Sequence, residues 1–460
     1  MIRIPFGPTL ASVMVLLAGM SAGCANSYKA SYPEPRTLIS ERPVHLPPPS
    51  GKHVPIPPDK YDRPLSLEEA VALALEYNPT LRSAAFEQQA RENEASQAAR
   101  LPNPELDAGI DEFGGIGSRT GLRSLEIGGS LSQTLEWGGD RRARSDVAAR
   151  GAEWAAWVVE STRLDVVTEV RYSFIGVLAA KARLEIAEEQ GEIARRLADA
   201  IERRAAEGAV SPLEARRARV AAITAVTVLE RARRFLDNAR ARLAATFGGD
   251  VEYVRVKGTL PEPAPVPELE RLVPLLQLNP ELAQYATLLE EARAHARLER
   301  ARRIPDATVR FGAAYFNELG ESAISSGITI PLPLFNTNKG AIRAADARIA
   351  ATEADAESAF LRARRELTTL YGTLVVSADA ARMLYQDALP NARAAYDGIL
   401  TGYHEGEYGL LDVLDAQSAF LETRNAYADA LSDFHQARAA VERLIATPFH
   451  AVEDAHTNQR

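Results

Sequence analysis

Two aspartates, Asp412 and Asp415, stand three residues apart in the run Asp412-Val-Leu-Asp-Ala-Gln417. On a helix that spacing puts both carboxylates on one face. Repeated around a symmetry axis, such a face becomes a ring that favours cations and repels anions at a narrow aperture. On a single helix the same pair is a solvated surface, and the residues alone fit either reading. Nothing else in the chain gathers catalytic or metal-ligating groups. The seven histidines are scattered at positions 45, 53, 295, 404, 435, 450 and 456, and only His404, beside Glu405 and Glu407, has even weak ligand company. One cysteine, Cys24, excludes an intrachain disulfide and a cysteine-based zinc cluster. Gly114-Gly-Ile-Gly117 lacks the following helix and lysine of a phosphate loop. A formal charge of −9 opposes binding by phosphate neutralisation. The expectation is a protein that is not an enzyme, holds no cofactor or metal, and binds no nucleic acid.

The N-terminus reads as a targeting segment. Arg3 is the only charge before Cys24, and an apolar run over 10–20 is followed by Ser21, Ala22 and Gly23. This is a secretory signal pattern, too short and too interrupted by Pro5, Gly7 and Pro8 for a spanning helix. Ser-Ala-Gly-Cys resembles a bacterial lipoprotein cleavage box, although Ser21 stands where leucine is usual. That resemblance implies removal of residues 1–23 and lipidation of Cys24, and Ala25 in place of aspartate favours the outer membrane. Loss of Arg3 takes the charge from −9 to −10. Residues 24–64 are proline-rich, as in 43–49 and 55–58, which suits an extended tether from lipid to body.

The body repeats one plan. Asn78-Pro79 returns as Asn279-Pro280 and Glu207-Gly208 as Glu405-Gly406, a period of roughly 200 residues and far beyond any solenoid unit. The first repeat is expected over 65–250, a linker over 251–267, the second repeat over 268–447 and a tail over 448–460. Each repeat has a helix (66–101 in the first), two strands, a very long helix, a tight glycine turn and a returning helix. The strands are expected near 105–113, 125–135, 307–316 and 323–332, each about the length of a tilted strand crossing a bilayer. From 139 to 205 the chain is rich in alanine, leucine, arginine and glutamate without proline, a helix of about 100 Å at ~1.5 Å per residue. The matching stretch 340–405 contains Pro390, which should kink or break it.

The strands alternate, with Asp107, Asp111, Glu126, Ser130, Ser132, Thr308 and Arg310 on the polar side. In lipid such strands must close into a barrel, because an open edge has no water to bond. Four cannot close. Eight, from a dimer, would give an interior filled by side chains, and twelve, from a trimer, would leave a pore. A soluble β-subdomain with one wet face is the other reading of the strands by themselves. Trp137, ending the second strand, fits a membrane interface or a packed aromatic.

The sequence resembles the TolC-like outer membrane efflux family, within it the heavy-metal cation (CzcC/CusC-like) branch. The residues that carry the resemblance are Leu67-Glu-Glu-Ala70 with Asn78-Pro79, Leu101-Pro-Asn-Pro-Glu-Leu106, Ser132-Gln-Thr-Leu-Glu-Trp-Gly-Gly139, Ile330-Pro-Leu-Pro-Leu-Phe335 with Asn338-Lys-Gly340, and Asp412-Val-Leu-Asp-Ala-Gln417. The resemblance implies a mainly helical fold with a small membrane β-barrel. A homotrimer would join four strands per chain into a 12-stranded barrel in the outer membrane and carry a coiled-coil-like helical barrel into the periplasm. It implies partners too: a periplasmic adaptor and an inner-membrane RND pump that supplies the energy. Asp412 and Asp415 would then line the closed periplasmic entrance and Tyr403 would help latch it. Tyr408 stands where a latching arginine is found in the better-known member of the family, so this latch must differ or be weaker. The turns Gly208-Ala-Val-Ser211 and Gly406-Glu-Tyr-Gly409 would be the tips that the adaptor touches. In the first repeat Glu214 matches Asp412, but Arg217 replaces the second aspartate. The expected function is a passive exit duct, with heavy-metal cations as its cargo on the branch resemblance alone; the alternatives are an adaptor or coiled-coil scaffold lipoprotein, or a drug or type I secretion channel of the same family.

Overall fold

The computed structural model describes residues 63–452. The expected signal segment 1–23, Cys24, nearly all of the tether and the end of the tail lie outside the described residues. In chain order the helices and strands are α1 (Leu67–Tyr77), α2 (Pro79–Ala98), β1 (Glu105–Asp111), β2 (Glu126–Leu135), α3 (Asp140–Ala206) and α4 (Pro212–Phe247). There follow α5 (Leu269–Leu272), α6 (Pro280–Ala301), β3 (Ala307–Phe316), β4 (Glu321–Thr329), α7 (Lys339–Met383), α8 (Leu389–Glu405) and α9 (Leu410–Ile445).

The single helix expected over 66–101 is two. Ser66 and Glu69 start α1 with a reciprocal capping box: the Glu69 N–H donates to Ser66 Oγ at 3.2 Å and the Ser66 N–H to Glu69 Oε2 at 2.8 Å. Asn78, next to a proline, is pushed out of the helical region (ψ 124°) and ends α1. Its Oδ1 then caps α2 by accepting the N–H groups of Thr80 and Leu81, while Nδ2 donates to the Thr246 carbonyl, 2.7 Å away at the end of α4. Asn279 repeats the arrangement, accepting from the Glu281 N–H and donating to the Leu444 carbonyl at 2.8 Å, at the end of α9. Each Asn-Pro pair thus ties the head of one helix to the tail of the helix that returns from the tip.

α3 has 67 residues, about 100 Å at ~1.5 Å per residue. Alanines 149, 152, 155, 156, 179, 180, 187, 194 and 198 are buried along it and let neighbouring backbones approach closely. α4 returns along it, and α9 returns along α7 and α8 while packing on α3. Three large apolar clusters hold the layers, beside a small fourth at Ala381, Ala430 and Leu431 on which Leu384 packs. One joins α1, the middle of α3 and the end of α4. A second joins the 272–276 region, α7 and the end of α9. The third, at the far ends of both hairpins, includes Ile201, Tyr396, Tyr403, Leu410, Val413 and Phe420. The segment after α4 returns to the start of the body, where the Leu65 N–H donates to the Arg255 carbonyl and the Lys257 N–H to the Leu65 carbonyl, both at 2.8 Å. The break expected at Pro390 takes the form of a π-turn over Leu384–Ala388.

The four strands form one antiparallel sheet in the order β1-β2-β3-β4. Directly paired residues share a face, so the register sorts the side chains. Asp107 pairs with Ser130, Asp111 with Glu126, Ser132 with both Glu105 and Arg310, and Thr134 with Thr308. All seven polar residues singled out from sequence therefore lie on one side. Leu106, Ile110, Ile127, Leu131, Phe311, Ile324 and Ile328 lie on the other, with Leu106 79% and Ile324 75% exposed. The C-terminal ends of two strands, β1 and β4, differ from expectation. β1 stops at Asp111, not 113, because Glu112 adopts a positive φ of 56°. β4 runs over 321–329 rather than 323–332, because Pro331 and Pro333 cannot donate to a ladder. At the base, Trp137 Nε1 donates to the Pro305 carbonyl at 2.7 Å, pinning the end of β2 to the approach of β3.

Candidate functional site

The candidate site is the far end of the two helical hairpins, where the third apolar cluster sits. Both hairpins reverse through the same geometry. Gly208 (φ +75°) and Gly406 (φ +88°) take the left-handed conformation that other residues pay to adopt. At the first tip the Gly208 N–H bonds to the Ala205 carbonyl and the Ala209 N–H to Arg204 at 2.8 Å. At the second the Gly406 N–H bonds to Tyr403 and the Glu407 N–H to Gly402 at 2.8 Å. These are Schellman closures, which satisfy the last carbonyls of α3 and α8. Ala209, Val210 and Ser211, and Glu407 to Gly409, carry the chain to the next helix.

The outgoing helices start differently. α4 starts with Ser211 as N-cap, its hydroxyl accepting from the Leu213 N–H at 3.2 Å, and with Pro212 in the first turn. α9 starts at Gly409, whose N–H donates to Asp412 Oδ2 at 2.8 Å. Asp412 is therefore a helix-capping group as well as an exposed carboxylate. Asp415 is exposed one turn further along the same helix.

The two tyrosines occupy unlike environments. Tyr403 is only 7% exposed, and its hydroxyl is buried without a hydrogen-bond partner among the described residues. The Arg204 guanidinium, from the other hairpin, lies 5.6 Å from its ring centroid. Tyr408 is 47% exposed, and its ring rests on the backbone of Gly402, where an added Cβ would come within 2.5 Å of it. One level deeper, Tyr396 stacks on Phe420 at 6.0 Å with rings nearly parallel. Arg424 of α9 pairs with Glu189 of α3 there. Reading the sequence missed Arg204. Its one signal is positional: at the repeat offset it matches Gly402, so one tip has a cation where the other has a glycine covered by the Tyr408 ring.

The model of outer membrane efflux proteins matches the chain over residues 70–249 and again over 272–447. The chain belongs to the outer membrane efflux protein family. This efflux protein is 33% identical over 401 residues to the cobalt-zinc-cadmium resistance protein CzcC of Cupriavidus metallidurans, covering 85% of this chain and 92% of that one. It is 28% identical over 308 residues to the nickel and cobalt resistance protein CnrC of the same organism, covering 65% of this chain and 70% of that one. Among solved structures, the outer membrane protein VceC of Vibrio cholerae superposes with a TM-score of 0.69 at 19% identity, over 83% of this chain and 96% of that one. That likeness shows the shared fold. The efflux family is one of outer membrane transport proteins, not of enzymes.

Proposed function

We propose that this efflux protein is the outer membrane exit duct of a tripartite RND-type system, conducting heavy-metal cations passively from a periplasmic adaptor and inner-membrane pump to the exterior. The open sheet carries the reading: one face is apolar and exposed, and β1 and β4 each have a free edge among the described residues. In lipid those edges require partners. Three copies supply twelve strands and a pore lined by the polar face, whereas two would give a barrel filled by its own side chains. Helices of about 100 Å then project the tips far from the membrane.

Within that assembly Asp412 and Asp415 form the carboxylate ring at the entrance, Tyr403 and Tyr408 help close it, and Gly208–Ser211 with Gly406–Gly409 meet the adaptor. Cys24 supplies the lipid anchor. Metal cations are favoured over drugs or secreted polypeptides because resistance to cobalt, zinc and cadmium is what the 33%-identical relative is named for. Deleting the gene should lower tolerance to zinc, cadmium or cobalt and leave a drug panel unaffected. Unchanged metal tolerance with drug hypersensitivity would overturn the cargo. A soluble monomer in place of a heat-resistant trimer in outer membranes would overturn the duct in favour of an adaptor or scaffold.

A further inference from the structure

Sheet and helices meet at one level, where separate passages of the chain are tied together. Trp137 Nε1 donates to the Pro305 carbonyl at 2.7 Å. Arg144 reaches back to the Ala98 carbonyl at 3.1 Å and the Arg100 carbonyl at 3.3 Å. Asn338 Nδ2 donates to the Glu299 carbonyl at 2.8 Å. The charges at this level are sorted. Glu136, Asp140 and Glu299 are largely buried, Glu136 pairing with Arg144 at 2.6 Å and Glu299 with Arg302 at 2.9 Å. The cations left over, Arg141, Arg142, Arg303, Lys339 and Arg343, are exposed and have no ion-pair partner among the described residues. Four of them fall in the first five residues of α3 or α7, where the helix dipole disfavours positive charge. Their own helices gain nothing from them.

These cations border the exposed apolar face of the sheet. Beyond the end of β4, apolar exposure continues through Leu332, Leu334 and Phe335, the last 99% exposed, and Trp137 stands exposed at the base of β2. Ten-residue strands tilted as in a membrane barrel cover an apolar band of about 25 Å. The base of the sheet is therefore where hydrocarbon gives way to headgroups. Aromatic rings at that boundary with cations just beyond it match a membrane surface in both polarity and sign. We propose that Arg141, Arg142, Arg303, Lys339 and Arg343 form a docking band for the phosphates of anionic phospholipids, in the leaflet that faces the helices. Arginine forks suit phosphate oxygens, and lysine adds a point charge. A zwitterionic headgroup offers the same phosphate but brings a cation of its own, so the band selects for net negative charge. The proposal deepens the duct reading and rests on it for the membrane.

The test places the full-length protein in nanodiscs of phosphatidylglycerol and phosphatidylcholine in equal parts and counts the retained lipids by native mass spectrometry. The wild type should keep phosphatidylglycerol about tenfold over phosphatidylcholine in about 0.05 M salt, and much less selectively in about 0.5 M. Replacing all five cations by glutamine (Arg141→Gln, Arg142→Gln, Arg303→Gln, Lys339→Gln and Arg343→Gln) should bring the ratio close to one. Arg216→Gln with Arg217→Gln, exposed cations at the far tip, should leave it unchanged. Equal retention of the two lipids by the wild type would overturn the band, as would an undiminished ratio in the five-site variant. A ratio lost in the tip variant would count against it too. Should the five-site variant not assemble, the wild type decides by salt: a preference as large in about 0.5 M as in about 0.05 M rejects the band. A protein that enters no bilayer overturns the duct reading and the band together. One that conducts ions but does not discriminate between the lipids overturns the band alone.

Discussion

The two hairpins share a turn and a length of reach but not a build. The long limb of the first is unbroken and ends in Arg204 and Ala205, with Glu214 and Arg217 on the returning helix; that of the second is interrupted by a π-turn at 384–388 and ends in Gly402 and Tyr403, with Asp412 and Asp415 on the returning helix. The differences are complementary. Arg204 lies over the ring of Tyr403, and Tyr408 lies over the space that Gly402 leaves. A duplicated plan thus sets an unbroken limb beside an interrupted one, and a basic tip beside an acidic one, across a shared apolar cluster.

That comparison can be broken first at the Asn-Pro clamps. Asn279 is 1% exposed and Asn78 half-buried, although both cap a helix and reach across to the returning one. Asn279→Ala should cost about 3 kcal/mol and Asn78→Ala about 1.5, read from denaturant unfolding of the assembled protein. Equal losses would mean that the two halves are held alike. Next come the tips: Gly208→Ala and Gly406→Ala should each cost about 1–2 kcal/mol by forcing a side chain into the left-handed region. A marked difference between them would deny the shared turn.

Charge sharpens the contrast further. Neutralising Asp412 and Asp415 together should move bilayer reversal potentials toward lower cation preference, while Glu214→Gln in the first hairpin should leave them in place. Asp412→Asn alone should also cost about 1 kcal/mol through its lost cap, a cost that Asp415→Asn should not share. The smallest effect concerns pH. Burial, with Arg438 nearby, holds the His435 imidazole below its usual range although it contacts the Pro261 carbonyl at 2.9 Å. The folded chain therefore takes up this proton less readily than the unfolded chain. Its contribution to stability is complete above pH ~6.5 and falls as pH drops toward the lowered value. His435→Gln should trim the loss of Tm between about pH 7.5 and about pH 5.5 by about 2 °C.

Much of this was legible in the chain because the signals are local. Gly208 and Gly406 mark the reversals, the alternation after Pro104 sorts the sheet faces, and Pro390 announces a break. The division at Asn78 was less visible, since the apolar pattern continues across it and the decisive partner, Thr246, is 168 residues away. The end of β4 was overrun because its apolar pattern continues into 330–334, where the prolines and not the hydropathy decide. At the tips Asp412 and Asp415 stand out by spacing, whereas Arg204 and Tyr403 belong to different hairpins, and only the fold brings them together.

The pairing of β2 with β3 has a consequence for biogenesis. Val256 bridges Leu65, so the first half ties its own end to its start, and its hairpin contacts zip outward from a tight turn. Its two strands then have only each other, a hairpin too small to be stable by itself in water. The sheet waits for the second half, and on the duct reading its edges wait for other copies. On the duct reading, a nascent chain thus carries an unfinished membrane surface, and full exposure of the greasy face is deferred until lipid and sister chains are at hand to receive it.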